Sequence, residues 1–371
     1  IFGRLPNKGA FLQPSTPLDG GLCTLRRFYL FLKRGGLIFA PLFAIVREDE
    51  RKRHLQESLG QRASSIGSWR ETRKRYLQKR GLVMKILVFG AGVLGCNLAR
   101  NLFRAGKDVT LLARGAWADE IRQNGLRIKD KFSPRLSVSR IPVVTELKPE
   151  ERYDVIFVVL RYTQLDAILD TVRNSAAKNI VFVGNNVRAG ALREALPKKN
   201  VLFAFALSAG HREKTRVCFI DLKKITIGQL RNGSSNEALI REVFAGTKYR
   251  VAYEPNMEDY LLCHAAFVLP AAFACYKTDG ELQRRKGNTA YLSRLIDANI
   301  EAYRAIRSAG HEILPKADAD FESAAYRKTC LRFFRLMCAT SLGKICASDH
   351  AMNAADEMAA LNRDIKQFFD E

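Results

Sequence analysis

The chain has 371 residues, of which 47% are apolar and 27% charged, a balance that excludes a disordered or fibrous protein and allows two folded domains. Its 61 Lys+Arg outnumber 38 Asp+Glu, for a formal net charge of +23. That excess is uneven: residues 1–83 carry 17 basic against 6 acidic side chains, a net of +11, which leaves +12 for the remainder.

Residues 1–83 read as a basic leader, disordered or untranslated. Clusters such as Arg51-Lys52-Arg53-His54 alternate with Gly, Pro and Ser without sustained periodicity, and the first methionine is Met84. The best apolar run, Gly36 to Val46, contains Pro41 and falls short of the ~20 residues of a spanning helix. No membrane span or secretory signal is expected. Outside the leader no aromatic–basic interleaving or helix-turn-helix pattern appears, so no nucleic-acid partner is expected either.

The strongest motif follows directly. Ile86-Leu87-Val88-Phe89 is an apolar run that feeds Gly90, Gly92 and Gly95, the GxGxxG spacing of a dinucleotide-binding turn. Gly90 permits the tight turn, Gly92 lets backbone N–H groups approach a pyrophosphate, and Gly95 allows the next helix to pack closely. Leu98, Leu102 and Ala105 fall on one helical face that Gly106 can close, and Val109–Arg114 reads as a second buried strand. An NAD enzyme usually places an acidic residue after that strand; Arg114-Gly115 here offers a cation for a 2′-phosphate and so points to NADP.

Further along, an amphipathic piece at Ala116–Gln123 precedes a short strand at Gly125–Ile128. Val155–Leu160 and Asn179–Val183 are continuously apolar, as strands buried on both faces of a parallel sheet are. A helix is expected at Leu165–Val172, short strands at Val201–Ala206, Arg216–Ile220, Ile225–Gly228 and Arg250–Ala252, and a helix at Glu237–Ala245. From about Met257 the period changes: Tyr260–Tyr276, Leu292–Ala309, Phe321–Leu342 and Ala354–Phe369 repeat at helical spacing. The fold class is therefore α/β, a Rossmann-type doubly wound parallel sheet over residues 84–256, followed by an all-helical domain over 257–371 for substrate binding and dimerisation. An active site is expected in the cleft between them. Eight cysteines without a CxxC pair or zinc-like spacing read as reduced core residues of a cytoplasmic protein, with no metal site.

From Met84 onward these residues resemble the ketopantoate reductase family, whose members reduce a 2-oxo acid with NADPH in pantothenate biosynthesis. The marks are Gly90–Gly95, Arg114-Gly115, Asn124-Gly125-Leu126, Val159–Gln164, Gly184-Asn185-Asn186, Ile225–Gly228, Leu269-Pro270 through Asp279-Gly280, and Ser308–Gly310 before Ile313-Leu314-Pro315. The resemblance implies that Gln164 and Asn186 lie beside the nicotinamide ribose and that Arg161 stands where the family has a cofactor-side lysine. It also implies a substrate-facing carboxylate at Glu357 and a serine at Ser341 or Ser348.

One departure concerns the chemistry. The family carries a lysine one helix turn before an asparagine in the first helix of the second domain; alignment on Pro270 and Gly280 puts Leu261 and Ala265 at those places, and Leu269 at a further asparagine. His264, three residues after Leu261, is the nearest proton donor and titrates in a suitable range. The sequence thus reads as an NADP-dependent oxidoreductase acting on a 2-oxo acid or related carbonyl. The alternative is an NADP-binding regulatory or interaction protein that has lost reductase activity.

Overall fold

The structure is a computed structural model and describes residues 84–370 apart from 132, 134, 341 and 342. The basic leader and Ser341 lie outside the described residues. The strands are β1 (Lys85–Phe89), β2 (Asp108–Leu112), β3 (Leu126–Asp130), β4 (Leu136–Ser139), β5 (Val143–Val144), β6 (Val155–Val158), β7 (Asn179–Val183), β8 (Asn200–Arg212), β9 (Val217–Gly228) and β10 (Arg250–Tyr253). The helices are α1 (Val93–Arg104), α2 (Gly115–Asn124), α3 (Leu169–Asn174), α4 (Ala189–Glu194), α5 (Glu237–Phe244), α6 (Met257–Tyr276), α7 (Thr289–Ser308), α8 (Ala324–Ala339), α9 (Asp349–Asn353) and α10 (Ala355–Asp370).

The strands form one sheet in the order β4-β3-β9-β8-β7-β6-β1-β2-β5, with β10 beside β9. The alternation of side chains along each strand divides the core in two. Ile86 and Val88 pack with Leu98 and Leu102 of α1 and Trp117 and Ile121 of α2, whereas Leu87 and Phe89 face the cluster that includes α6 and α7. Both faces are covered, so the central strands need apolar residues at every position rather than at alternate ones. At ~1.5–3 kcal/mol for each fully buried aliphatic side chain, this run is a large contribution to a marginal total.

Six neighbouring strands, β5-β2-β1-β6-β7-β8, are parallel, as a doubly wound sheet requires. The far side is mixed. β9 runs antiparallel to β8 as a long hairpin, and β4 runs antiparallel to β3. The two short strands expected at 216–220 and 225–228 are one strand with a bulge: Leu207 pairs with Lys224 and the next residue, Ser208, pairs with Asp221. Lys223 in that bulge has φ 53°, a left-handed conformation that a side chain disfavours. The helix expected at 165–172 is instead two 3-10 turns leading into α3. β4, β5 and α4 were not expected from the sequence, being too short to show a period.

α6 is 20 residues long and opens with Asn256 accepting from the Asp259 N–H. By length and composition it could cross a bilayer, yet 61% of its apolar window is buried, with α7, α9 and α10 against it. It is the central helix of the second domain.

Candidate active site

A cleft of about 1200 Å³ runs from the glycine turn after β1, past the ends of β2, β6, β7 and β8, to the exposed side of α6. It is large enough for a dinucleotide together with a small substrate. At its head the three glycines differ in what fixes them. Gly90 has φ 118°, and a Cβ there would lie 2.3 Å from the Val159 carbonyl oxygen. A Cβ on Gly95 would lie 1.9 Å from the Gly90 carbonyl oxygen, so the helix can start against the turn only without it. At Gly92 an added Cβ would meet nothing within 4 Å. Gly92 is the N-cap of α1 and no side chain caps it. The first-turn N–H groups therefore face open cleft, a cradle that fits a phosphate group.

Arg114 follows the end of β2 by two residues, is the N-cap residue of α2 and lines the same cleft. Arg161 and Gln164 also line it, but their side chains have other partners. The Arg161 guanidinium donates to the Asn353 carbonyl at 2.7 Å and lies 3.5 Å from Asp356, bridging the sheet to the end of the helical domain. Gln164 Oε1 accepts from the Arg161 N–H at 3.3 Å. Asn186 does not line the cleft: it is 3% exposed and its Oδ1 accepts from the Arg188 N–H at 2.8 Å. Its neighbour Asn185 lines the wall instead, with an Oδ1 that has no partner among the described residues. In an Asn-Asn pair after a strand, sequence alone does not say which side chain turns inward.

α6 supplies the opposite wall, and the three positions that the alignment on Pro270 picks out are apolar and buried. Leu261, Ala265 and Leu269 are 1%, 1% and 2% exposed and belong to the apolar core. The α6 residues that line the cleft are Tyr260, His264, Phe267, Val268, Ala271, Ala272 and Ala274. Leu261 is packed into the core while its i+3 neighbour His264 reaches the cleft. The helix is apolar nearly all round, so hydropathy gives no face to align on.

His264 packs against Phe205 of β8 with ring centroids 3.8 Å apart and the rings tilted by 44°. Burial, and then the nearby His350, push its pKa down to about 3. It is a neutral imidazole at pH 7, able to offer an N–H to an oxygen but unable to deliver a proton as imidazolium. The expectation that it titrates near neutrality is corrected on that ground. Tyr260 accepts from the Thr226 hydroxyl at 3.3 Å, and burial raises its pKa, so it stays a phenol.

Glu357 of α10 is 5% exposed and lines the cleft, and its Oε1 accepts from the Tyr162 N–H at 3.3 Å. Burial raises its pKa against the lowering effects of that N–H, the Asn185 amide and Arg161. A raised pKa in the folded state means that protonation favours folding. Stability from this group is complete below the unfolded value of about 4.5 and falls as pH rises through the higher folded value. Glu357→Gln should therefore melt with the wild type in acid and roughly 1–3 °C above it near pH 8, checked by thermal denaturation across pH. Ser348 is buried against the Cys275 thiol, 3.7 Å away.

At the far end of the cleft Asp318 is 2% exposed and accepts from the Tyr303 hydroxyl at 3.0 Å, while its Oδ1 has no partner among the described residues. Burial pushes its pKa up to about 6. Asn185, Tyr260 and Asp318 were all missed in the sequence. Glu312, Lys316, Asp320 and Glu322 lie close to Asp318 in the chain, so nothing in the sequence set it apart.

Comparison with known proteins agrees with this arrangement. Residues 86–232 match the family described as "Ketopantoate reductase PanE/ApbA". The 2-dehydropantoate 2-reductase of Mesorhizobium japonicum is 36% identical over 92 residues, 24% of this chain and 27% of that protein, so the match spans about a quarter of its relative's length. Two solved structures share the fold at 15% identity. That of 2-dehydropantoate 2-reductase from Geobacter metallireducens has a TM-score of 0.61, covering 76% of this chain and 94% of the other. That of D-mandelate dehydrogenase with NADH and anilino(oxo)acetate has a TM-score of 0.56, with 76% and 99% covered. The matched segment runs from the first strand of the glycine turn to just past β9, so residues 86–232 are similar to the ketopantoate reductase family, and the helical part follows in the fold that the solved structures share.

Proposed function

We propose that this protein is an NADPH-dependent reductase of a 2-oxo acid, acting in a reducing compartment such as the cytoplasm. The observation that carries the reading is the open, uncapped start of α1 at Gly92, set beside Arg114 at the head of the cleft. The first turn of α1 would hold the pyrophosphate, Arg114 the 2′-phosphate, and Asn185 and Gln164 the wall near the nicotinamide. The bound cofactor supplies hydride. The neutral His264 N–H would orient the substrate carbonyl, and Glu357 closes the cleft where the two domains meet.

The test is NADPH oxidation across a panel of 2-oxo acids, branched and aromatic, together with Kd values for NADPH and NADH by fluorescence. Arg114→Ala should weaken NADPH binding roughly tenfold to a hundredfold while leaving NADH within about twofold, because only the former carries the charged partner. Equal losses for both cofactors would count against a 2′-phosphate role.

A second reading follows from the cleft face of α6, which has no lysine. It makes the protein an NADP-binding regulatory or interaction protein without turnover. Tight NADPH binding with no oxidation over the whole panel would select it.

A further inference from the structure

Reducing a ketone leaves negative charge on oxygen, and α6 brings no cation to neutralise it. The sheet opposite does. β8 and β9 pair Phe205 with Thr226 and Leu207 with Lys224, and directly paired residues in an antiparallel ladder share one face. Two contacts show which face this is: the Phe205 ring packs against His264, and Thr226 donates to Tyr260. The residue between, Ile225, is fully buried in the opposite core. Lys224 therefore lies on the sheet surface that α6 covers, one pleat from Thr226, ~6.6 Å along the strand, and it lines the cleft.

The bulge bears on this placement. With Leu207 opposite Lys224 and Ser208 opposite Asp221, residues 222 and 223 are extra, and the left-handed Lys223 turns the strand immediately before Lys224. Bulges of this kind re-aim side chains beside active sites. Lys224 is half-buried, and among the described residues no carboxylate acts on its charge. Burial, and then Arg250, lower its pKa.

We propose that Lys224, reaching into the cleft from β9, binds the reacting carbonyl oxygen of the 2-oxo acid and protonates it. Hydride from the reduced nicotinamide forms the new C–H bond, the carbonyl π pair moves to oxygen, and that oxygen takes an ammonium proton from Lys224. The neutral amine regains a proton from water. The His264 N–H and Tyr260 hydroxyl face the same space from α6. This assignment rests on the proposed reductase reading.

The test compares the wild type with Lys224→Met and Lys224→Arg in three measurements: NADPH Kd by fluorescence, oxamate binding to the NADP⁺-loaded protein by calorimetry, and turnover on the 2-oxo acid panel. Oxamate is a non-reducible isostere of a 2-oxo acid. The expected result is NADPH affinity within twofold of wild type in both variants, a loss of at least tenfold in oxamate affinity for Lys224→Met, and about a hundredfold loss of kcat, partly restored in Lys224→Arg. If the wild type turns over and Lys224→Met keeps oxamate affinity and kcat within threefold, the assignment is overturned and the reductase reading stands. A parallel loss of NADPH affinity overturns it in favour of a cofactor or structural role. If the wild type binds NADPH but neither oxidises it nor binds oxamate, both fail; oxamate binding that depends on Lys224 without turnover upholds the anion site and overturns the reductase reading alone.

Discussion

Gly92→Asp should leave the protein folded, and melting at or slightly above the wild-type temperature, while reducing NADPH affinity about a thousandfold. The two effects share one cause. Gly92 has φ −75° and ψ −169°, an extended conformation open to any residue, and its added Cβ would touch nothing. Asp is among the best N-cap residues, and its carboxylate would accept from the free first-turn N–H groups of α1, worth up to about 1 kcal/mol. Those are the groups proposed to hold the pyrophosphate. A carboxylate ~4 Å from a phosphate charge costs about 4 kcal/mol at an effective dielectric of 20, the equivalent of a thousandfold in Kd. Thermal melting and NADPH titration on the same sample would check it. A variant that melted higher and bound normally would mean that the cradle is not the cofactor site. Gly95→Ala makes the contrast: with a Cβ at 1.9 Å from the Gly90 oxygen, it should fail in folding first.

The difference between these glycines was legible in the sequence as roles, because GxGxxG between an apolar run and a helix assigns each position its task. The parallel core of the sheet was legible for a similar reason, since strands covered on both faces leave continuous apolar runs. Legibility failed where side-chain direction had to be known. α6 is apolar on most of its surface, so no periodicity distinguished Leu261, which is in the core, from Tyr260, which faces the cleft. Arg161 carried the charge expected of a cofactor contact, but the partners that engage it, Asn353 and Asp356, are almost 200 residues later in the chain. Lys224 gave no signal at all: a lysine in a strand of alternating character reads as solvent-facing until the opposite element is known. The bulge that turns it inward has no sequence signature here, since Lys223 takes the left-handed conformation without being Gly or Asn.

Asp259→Asn is expected to be the most destabilising conservative change in the helical domain, at about 3 kcal/mol and roughly 5–10 °C in Tm. Asp259 is 1% exposed and has partners from three parts of the chain. Its carboxylate accepts from Arg231 at 2.5 Å, from the Asn256 amide at 2.8 Å and from the Glu312 N–H at 2.7 Å, and it lies 2.6 Å from His311 Nδ1. Asn would remove the charge and leave Arg231 and His311 with a weaker acceptor. The loss is placed at the low end for a broken buried pair because Arg231 is 43% exposed and water can take over part of its solvation. Burial alone would raise the Asp259 pKa, but the hydrogen bonds from His311, the Glu312 N–H, Arg231 and Asn256 hold it below the usual 3.8. A depressed folded pKa stabilises above the unfolded value and loses that contribution as pH falls through the folded one. The gap between wild type and Asp259→Asn should therefore be full well above the unfolded value and close as pH falls through the lower folded one. The consequence reaches the cleft, because Asp259 directly precedes Tyr260 and fixes the first turn of α6, from which Tyr260 projects, and His264 follows in the second turn. At a temperature where the variant is still folded, NADPH affinity should stay within about twofold, since α1 and Arg114 are untouched, while KM for the 2-oxo acid rises several-fold. A variant whose stability deficit persists unchanged at pH 3, or whose NADPH affinity falls with KM unmoved, would mean that Asp259 does not orient the substrate side of the cleft.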